Sequence, residues 1–126
     1  MFCPLGNENV MYSGGDDCKF LCWDMRGPKQ PVLRSSHYKV GVTSFEHLSS
    51  SRSTEFHLLV GSYNDTVACW DVRSLKSPVS SLDVGGGVWR IRSRSRGDTE
   101  QLALATMYDG FSFVGAHLLI NLHIVD

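Results

Sequence analysis

Four polar side chains in the middle of the sequence are of types that form hydrogen-bonded chains or act in nucleophilic catalysis. They are His37, Ser62, Asn64 and Trp70. A catalytic serine of this kind would sit on a sharp turn, but the sequence contains no Gly-x-Ser-x-Gly motif. An imidazole, a hydroxyl, an amide and an indole N–H can instead satisfy one another inside a fold. We therefore predict that the four residues form one buried structural network.

A glycine-rich stretch near the middle of the second half is the stronger candidate for a binding site. Gly85, Gly86 and Gly87 are followed closely by Trp89 and Arg90. Three successive glycines cost backbone entropy, which predicts a positive φ or the close approach of another backbone. Trp89 offers a stacking face and Arg90 a fork for a carboxylate. The alternative is a tight connection with Trp89 packed in the core, and the sequence does not separate the two.

Cysteines and arginines give two further candidates. Cys18 and Cys22 suggest zinc ligands, but their spacing is looser than the usual Cys-x-x-Cys. Cys69 stands directly before Trp-Asp, as Cys22 does, and a small buried thiol explains both. The sequence therefore predicts no metal. Arginines at alternate positions over 90–96 would share one face of a strand, where we expect a solvated strand end, with phosphate binding as the alternative.

Composition limits the classes of partner. The chain has 126 residues, 42% of them hydrophobic, and its 12 basic and 13 acidic residues give a formal charge of −1. This balance predicts one globular domain with no nucleic-acid or membrane-surface partner. The apolar stretch at 114–125 is shorter than the roughly 20 residues of a membrane helix. The start lacks a basic segment followed by an apolar one, so we expect a cytoplasmic protein with reduced cysteines.

These candidates lie on a sequence repeat. Displacing the chain by 47 positions places the glycine, Cys-Trp-Asp and arginine of residues 14–26 on those of residues 61–73. A Gly…Trp-Asp signature at this period is typical of radial repeats in which each copy is a four-stranded blade. Alternating apolar residues predict strands over 40–45, 58–62, 66–71 and 78–82, which make one complete blade. The sequence therefore predicts an all-β fold, a partial WD-repeat β-propeller.

The predicted blades are incomplete at both ends. We place them at about residues 1–33, 34–83 and 84–114, or about two and a half blades, with a divergent tail over 115–126. Gly115 falls where the third Trp is expected. Since a closed propeller needs roughly four to eight blades, we expect a fragment or variant of a longer protein, or a chain that borrows its neighbours from a partner or from other copies.

The motifs together resemble one family. The stretches YSGGDD, WDMR, GSYND, WDVR and GGGVWR, in this order, are similar to the C-terminal blades of the WD-repeat diphthine methyltransferases, also called diphthine methylesterases. The resemblance covers about residues 2–114. After Ile91 the sequence RSRSRG departs from the Trp-His-Pro type of continuation that the family has there.

The resemblance implies hydrolysis of the methyl ester of methylated diphthine on elongation factor 2, a step in making diphthamide. It implies a protein substrate and no metal or organic cofactor. The substrate carries a trimethylammonium group, which Trp89 or Tyr63 could hold against its ring. The family provides no catalytic motif that maps onto this sequence, so no catalytic residue is assigned. The alternative is a non-catalytic WD-repeat scaffold that binds protein partners.

Overall fold

The computed structural model describes residues 9–48, 56–96, 99–108, 110–116 and 122–124, and every regular element in them is a β-strand. The eleven strands are β1 Val10–Gly14, β2 Phe20–Asp24, β3 Leu33–Ser35, β4 Val42–His47, β5 His57–Ser62, β6 Thr66–Asp71, β7 Ser80–Asp83, β8 Val88–Arg96, β9 Thr99–Thr106, β10 Gly110–Ala116 and β11 Leu122–Ile124. The all-β prediction is confirmed. In the part of the chain described, no helix has the length and apolar character needed to cross a membrane.

The strands form three antiparallel sheets in chain order. The first contains β1, β2 and β3, the second β4 to β7, and the third β8 to β11, each with sequential neighbours paired. The sequence of the first blade also predicts that an inner strand ends at Phe2–Pro4, and these residues lie outside the described ranges. The connection between β5 and β6 is a tight turn in which Asp65 has a φ of 64°, and Tyr108, which follows β9, has a φ of 74°.

Alternation of apolar and polar residues explains why these segments are strands. In β9, Leu102 and Leu104 are buried while Gln101, Ala103 and Ala105 are exposed. A period of two sends one set of side chains to each face of the sheet. The second sheet differs because both of its faces are covered, which makes β5 and β6 buried almost throughout.

The third sheet continues beyond residue 114. β10 extends to Ala116, and β11 pairs with it as a fourth strand, with Val114 opposite Ile124. The strand register also corrects the prediction that Gly115 takes the place of the tryptophan. Val114 pairs with Leu102 as Trp70 pairs with Leu58, so Val114 occupies that place. It is fully buried.

Two apolar clusters each hold a pair of neighbouring sheets together. One cluster lies between the first and second sheets and contains Phe20, Phe45 and Trp70. The rings of Phe20 and Trp70 meet edge to face with centroids 5.4 Å apart. The other lies between the second and third sheets and contains Val67 and Ile91. The second sheet therefore serves as the shared core of the described structure.

Glycines at the ends of two strands set the spacing between sheets. A Cβ added at Gly14 would lie 2.5 Å from Val42 Cγ1, and one added at Gly61 would lie 2.7 Å from Val88 Cγ1. In each case the first valine of the next sheet's inner strand occupies the volume that a side chain would need. The same contact thus recurs at both junctions between sheets.

In each Trp-Asp-x-Arg motif the aspartate forms an ion pair with the arginine two residues later, and we call this pair a clasp. In the first, Asp24 Oδ2 lies 2.9 Å from Arg26 Nη2, and in the second, Asp71 Oδ2 lies 2.6 Å from Arg73 Nη2. Each aspartate also accepts the backbone N–H of its arginine. The side-chain bond to Arg26 is the main cause that lowers the pKa of Asp24 to about 2, and Arg73 lowers the pKa of Asp71 in the same way.

The glycine contact predicts a steric cost. Gly61→Ala is expected to lower the free energy of unfolding by about 1–3 kcal/mol, because the new methyl overlaps Val88 in a packed core. Urea unfolding would measure it. Gly27→Ala is the control, since its Cβ would lie 3.7 Å from the Asp24 carbonyl oxygen. Val88→Ala should cost less in the Gly61→Ala background than alone. Equal stability of Gly61→Ala and the original chain would contradict this packing.

The second clasp predicts a pH effect. Because the pKa of Asp71 is lowered from 3.8, its stabilisation is complete above pH 3.8 and is lost as the pH falls through the lower folded value. Asp71→Asn should therefore cost roughly 0.5 kcal/mol at neutral pH and make acid unfolding less steep below pH 3.8. Asp65→Asn, which changes an exposed carboxylate outside any clasp, is the control. If the original chain, Asp71→Asn and Asp65→Asn lose stability equally steeply as the pH falls, the effect is ruled out.

Candidate functional site

The glycine-rich connection between the second and third sheets is built as its sequence predicts. Gly85 has a φ of 78°, and its N–H donates to Asp83 Oδ1 at 2.8 Å. The backbone carbonyl of Met107 occupies the place where Gly86 would carry a Cβ, and the Met107 sulphur approaches Gly87 similarly. Positive φ and close backbone approach are therefore both present. They bring β8 directly under the turn that follows β9.

A β-bulge positions Trp89. The pairing of β8 with β9 shifts between Val88 and Arg90, so Trp89 is the extra residue of the strand. Its ring meets Tyr63 edge to face with centroids 5.5 Å apart, and its side chain remains 51% exposed. β4 has the matching bulge at Thr43, whose hydroxyl donates to the Val88 carbonyl. Trp89 therefore lies at the surface, and the alternative that it packs in the core is wrong.

A carboxylate and two aromatic rings line this end of the sheets. A Cβ at Gly41 would lie 2.9 Å from Asp16 Oδ1 and 3.0 Å from the Tyr63 ring, so both side chains border the space that a Gly41 side chain would need. Trp89 follows next to Tyr63. We call Asp16, Gly41, Tyr63 and Trp89 the aromatic rim. The half-exposed Trp89 ring and the partly buried Tyr63 ring beside the exposed Asp16 suit a cationic group that is too large for a simple salt bridge.

Arg90 does not join the rim. By register it lies opposite Ala105, on the face of the third sheet that points away from the second sheet. It is exposed, and no carboxylate of the described residues lies within ion-pair distance of it. Trp89 therefore contacts Tyr63 of the second sheet, whereas Arg90 lies on the outer face of the third sheet.

The predicted four-residue network divides into two groups. Trp70 Nε1–H donates to the hydroxyl of Tyr38 at 2.9 Å, not to Ser62 or His37. The exposed imidazole of His37 meets the Trp70 ring edge to face, with centroids 5.3 Å apart. Ser62 donates to the side chain of Asn64 within their own turn. The prediction of one buried line is therefore wrong, although each member is engaged.

A substitution within the repeat explains this outcome. In the first sheet Trp23 Nε1–H donates to Ser13 Oγ at 2.8 Å. Strand register places Val60 of the second sheet where the first has Ser13, and valine accepts no hydrogen bond. Tyr38, from the connection before β4, supplies the acceptor instead. Burial raises the pKa of Tyr38, so its hydroxyl stays protonated at neutral pH. A comparison of the two repeat copies at Ser13 and Val60 could have predicted from sequence that Trp70 needs a different acceptor.

Cysteines and acidic residues provide no metal centre in the described ranges, where no three His, Cys, Asp or Glu side chains are grouped to hold an ion. Cys22 and Cys69 are buried and carry free thiols. Burial raises the pKa of Cys69 from 9.0 to about 12, which keeps this thiol protonated and poorly reactive at neutral pH. Their place before Trp-Asp is therefore explained by packing.

Successive antiparallel sheets of this geometry define the class of WD-repeat propeller proteins. A chain in the solved structure titled "Crystal Structure of Mitotic Checkpoint Complex" superposes on 99% of this chain and 37% of its own length, with a TM-score of 0.79 and 14% identity. At that identity the likeness shows the fold alone. The predicted partial WD-repeat propeller is confirmed.

Within that class the chain is similar to diphthine methyltransferases. The protein of Mus musculus is 37% identical over 112 residues, which are 89% of this chain and 23% of the mouse protein. That of Homo sapiens is 37% identical over 108 residues, 86% of this chain and 23% of the human protein. The predicted similarity to the diphthine methyltransferases is thus confirmed over most of this chain, and the chain spans about a quarter of their length.

Other WD-repeat proteins share part of the pattern. A "DDB1- and CUL4-associated factor 11 homolog" of Caenorhabditis elegans is 35% identical over 80 residues, 60% of this chain and 13% of the worm protein. No protein-family model matches the chain. The WD-repeat motifs alone therefore do not separate an enzyme from an interaction module.

The bond between Trp70 and Tyr38 predicts a stability loss. Tyr38→Phe leaves the buried indole N–H without its acceptor and should lower the free energy of unfolding by about 1–3 kcal/mol. Thermal unfolding followed by near-ultraviolet circular dichroism would measure this loss. Tyr108→Phe removes a hydroxyl from a side chain that is 95% exposed and is the control. Equal midpoints for the two variants would contradict a structural role for the Tyr38 hydroxyl.

Proposed function

We propose that this chain forms part of a cytoplasmic enzyme of diphthamide biosynthesis that hydrolyses the methyl ester of methylated diphthine on elongation factor 2. The observation that carries the proposal is the similarity to diphthine methyltransferases over 89% of the chain. The reaction consumes water and the ester, and it releases methanol and a carboxylate. A later reaction can then amidate that carboxylate.

The aromatic rim supports this proposal because its chemistry fits the substrate. Methylated diphthine carries a trimethylammonium group, which cannot donate hydrogen bonds and is held best by ring faces and a nearby carboxylate. Tyr63 and Trp89 provide the rings and Asp16 the carboxylate. We therefore assign the rim to substrate binding. Ester cleavage itself requires an activated water and donors for the developing oxyanion, and we assign no residue to those roles.

A second candidate is a protein-interaction scaffold. It is favoured by the similarity to the DDB1- and CUL4-associated factor homologue and by the WD-repeat fold, which hosts many functions. Under this proposal the rim binds a partner segment and no bond is broken.

One assay separates the two candidates. Elongation factor 2 that carries methylated diphthine is incubated with this chain and, in parallel, with the full-length mouse relative, without any methyl donor. Intact-mass analysis should show the loss of one methylene unit, and methanol should appear in solution. Binding of the elongation factor without a mass change would favour the scaffold. A reaction that depends on an added sulfonium methyl donor would point to methyl transfer.

The rim predicts how a substitution affects turnover. Trp89→Ala, made in the full-length protein that contains this segment, should raise KM roughly tenfold because the loss of one cation–π contact costs about 1–2 kcal/mol. Trp89→Phe should retain most of the affinity, and Tyr108→Ala serves as the control at another exposed aromatic. Steady-state methanol release measures all three. Unchanged kinetics for Trp89→Ala would remove the rim from substrate binding while leaving the hydrolytic activity itself in place.

A further inference from the structure

The outer face of the third sheet carries an unusual set of exposed side chains. By register, Arg90 and Arg92 of β8 lie opposite Ala105 and Ala103 of β9, and these alanines lie opposite Phe111 and Phe113 of β10. Arg94 continues the arginine row. We call this surface the arginine–phenylalanine face, defined by Arg90, Arg92, Arg94, Phe111 and Phe113.

The equivalent positions in the other two sheets are buried. Phe20 and Cys22 of the first sheet hold the register places of Phe111 and Phe113, and they are 0% and 4% exposed because the second sheet covers them. Val67 and Cys69 hold those places in the second sheet and are 0% exposed beneath the third. Phe111 and Phe113 are 70% and 52% exposed. The face therefore has the position of an inter-sheet interface and presents large apolar side chains.

The valine–glycine contacts that join the three sheets cannot be repeated on this face. Ala105 stands at the register place of Gly61, where a Cβ would meet the valine of a following strand. A neighbour that docks as β4 and β8 do would thus be pushed away. The small-residue contact that defines the other junctions is missing here.

The hydrogen-bonding character of the face is also reversed. At the junction of the second and third sheets, Ser44 Oγ accepts the N–H of Ile91 at 3.0 Å, and Glu46 Oε1 accepts the N–H of Ser93 at 2.8 Å. The register places of these two acceptors are held in the third sheet by Arg90 and Arg92. Arginine donates and does not accept. What lies against this face must therefore supply acceptors, and charge favours carboxylates.

We propose that the arginine–phenylalanine face binds an extended acidic segment of a partner protein, with carboxylates over the arginine row and apolar side chains against the phenylalanines. Alternate arginines on a strand repeat every 6–7 Å or so, which matches acidic residues at every second position of an extended partner. Arg92 Nη1 lies 3.5 Å from Glu46 Oε2 of the second sheet and is already paired there, so the proposal places the partner's carboxylates at Arg90 and Arg94. This surface is separate from the aromatic rim.

The test uses this chain and three labelled peptides in fluorescence anisotropy. The first peptide alternates glutamate and valine, the second alternates lysine and valine, and the third has the composition of the first with its glutamates in one block. The alternating acidic peptide should bind tightest, and its affinity should fall with added salt. Equal binding of the blocked and alternating acidic peptides, or preference for the lysine peptide, would overturn the proposal.

Variants locate the binding. Arg90→Ser combined with Arg94→Ser, which leaves the Arg92 contact to Glu46 intact, should weaken the acidic peptide roughly fivefold, as the loss of two exposed ion pairs would. Phe113→Ser should weaken it as well. Arg34→Ser, at an exposed arginine of the first sheet, is the matched control and should change nothing. Thermal unfolding midpoints confirm that the variants fold. Unchanged affinity in the double variant, or a dimer by light scattering that Phe113→Ser dissociates, would overturn the proposal.

Discussion

Contact between a valine side chain and a glycine backbone sets the distance between neighbouring sheets, and most of the described structure depends on it. Val42 and Val88 can sit against Gly14 and Gly61 only because these two residues have no Cβ. Close approach of this kind brings the apolar faces of adjacent sheets within packing distance and allows both clusters to exclude water. The same valines begin the bulged strands, so the contact also fixes where Thr43 and Trp89 emerge.

Much of the fold could be predicted from sequence because its signals are local. A period of two identifies strands such as Thr66–Asp71, and the repeat at 47 positions identifies equivalent strands without further information. The candidate site was harder to predict from sequence because its geometry depends on deviations from that period of two. The bulge at Trp89 shifts the alternation by one residue, so that Arg90 takes the place opposite Ala105 and Trp89 is left as the extra residue. A single exchange, Val60 for the serine of the first copy, redirects the indole of Trp70 to a tyrosine that lies 32 positions earlier.

The proposed function rests on the combination of sequence similarity and local chemistry. The propeller alone would fit an enzyme or a scaffold, because this fold supports both. The similarity to diphthine methyltransferases narrows the choice, and the aromatic rim adds a surface whose chemistry matches a quaternary ammonium group. The inter-sheet junctions and the rim are built by the same strands. Changes that loosen the packing beneath β8 therefore also affect the groups at its exposed end.

The three tryptophans differ in their surroundings, so the intrinsic fluorescence of the protein can report on binding and on unfolding separately. Trp70 is fully enclosed, whereas half of Trp89 faces water, so solvent dipoles can relax around its excited indole and shift its emission to longer wavelengths. A molecule that settles on Trp89 would displace that water and move only the red component of the fluorescence. Unfolding would instead shift the blue component from Trp70, so occupancy and denaturation have separate spectral signatures in unlabelled protein.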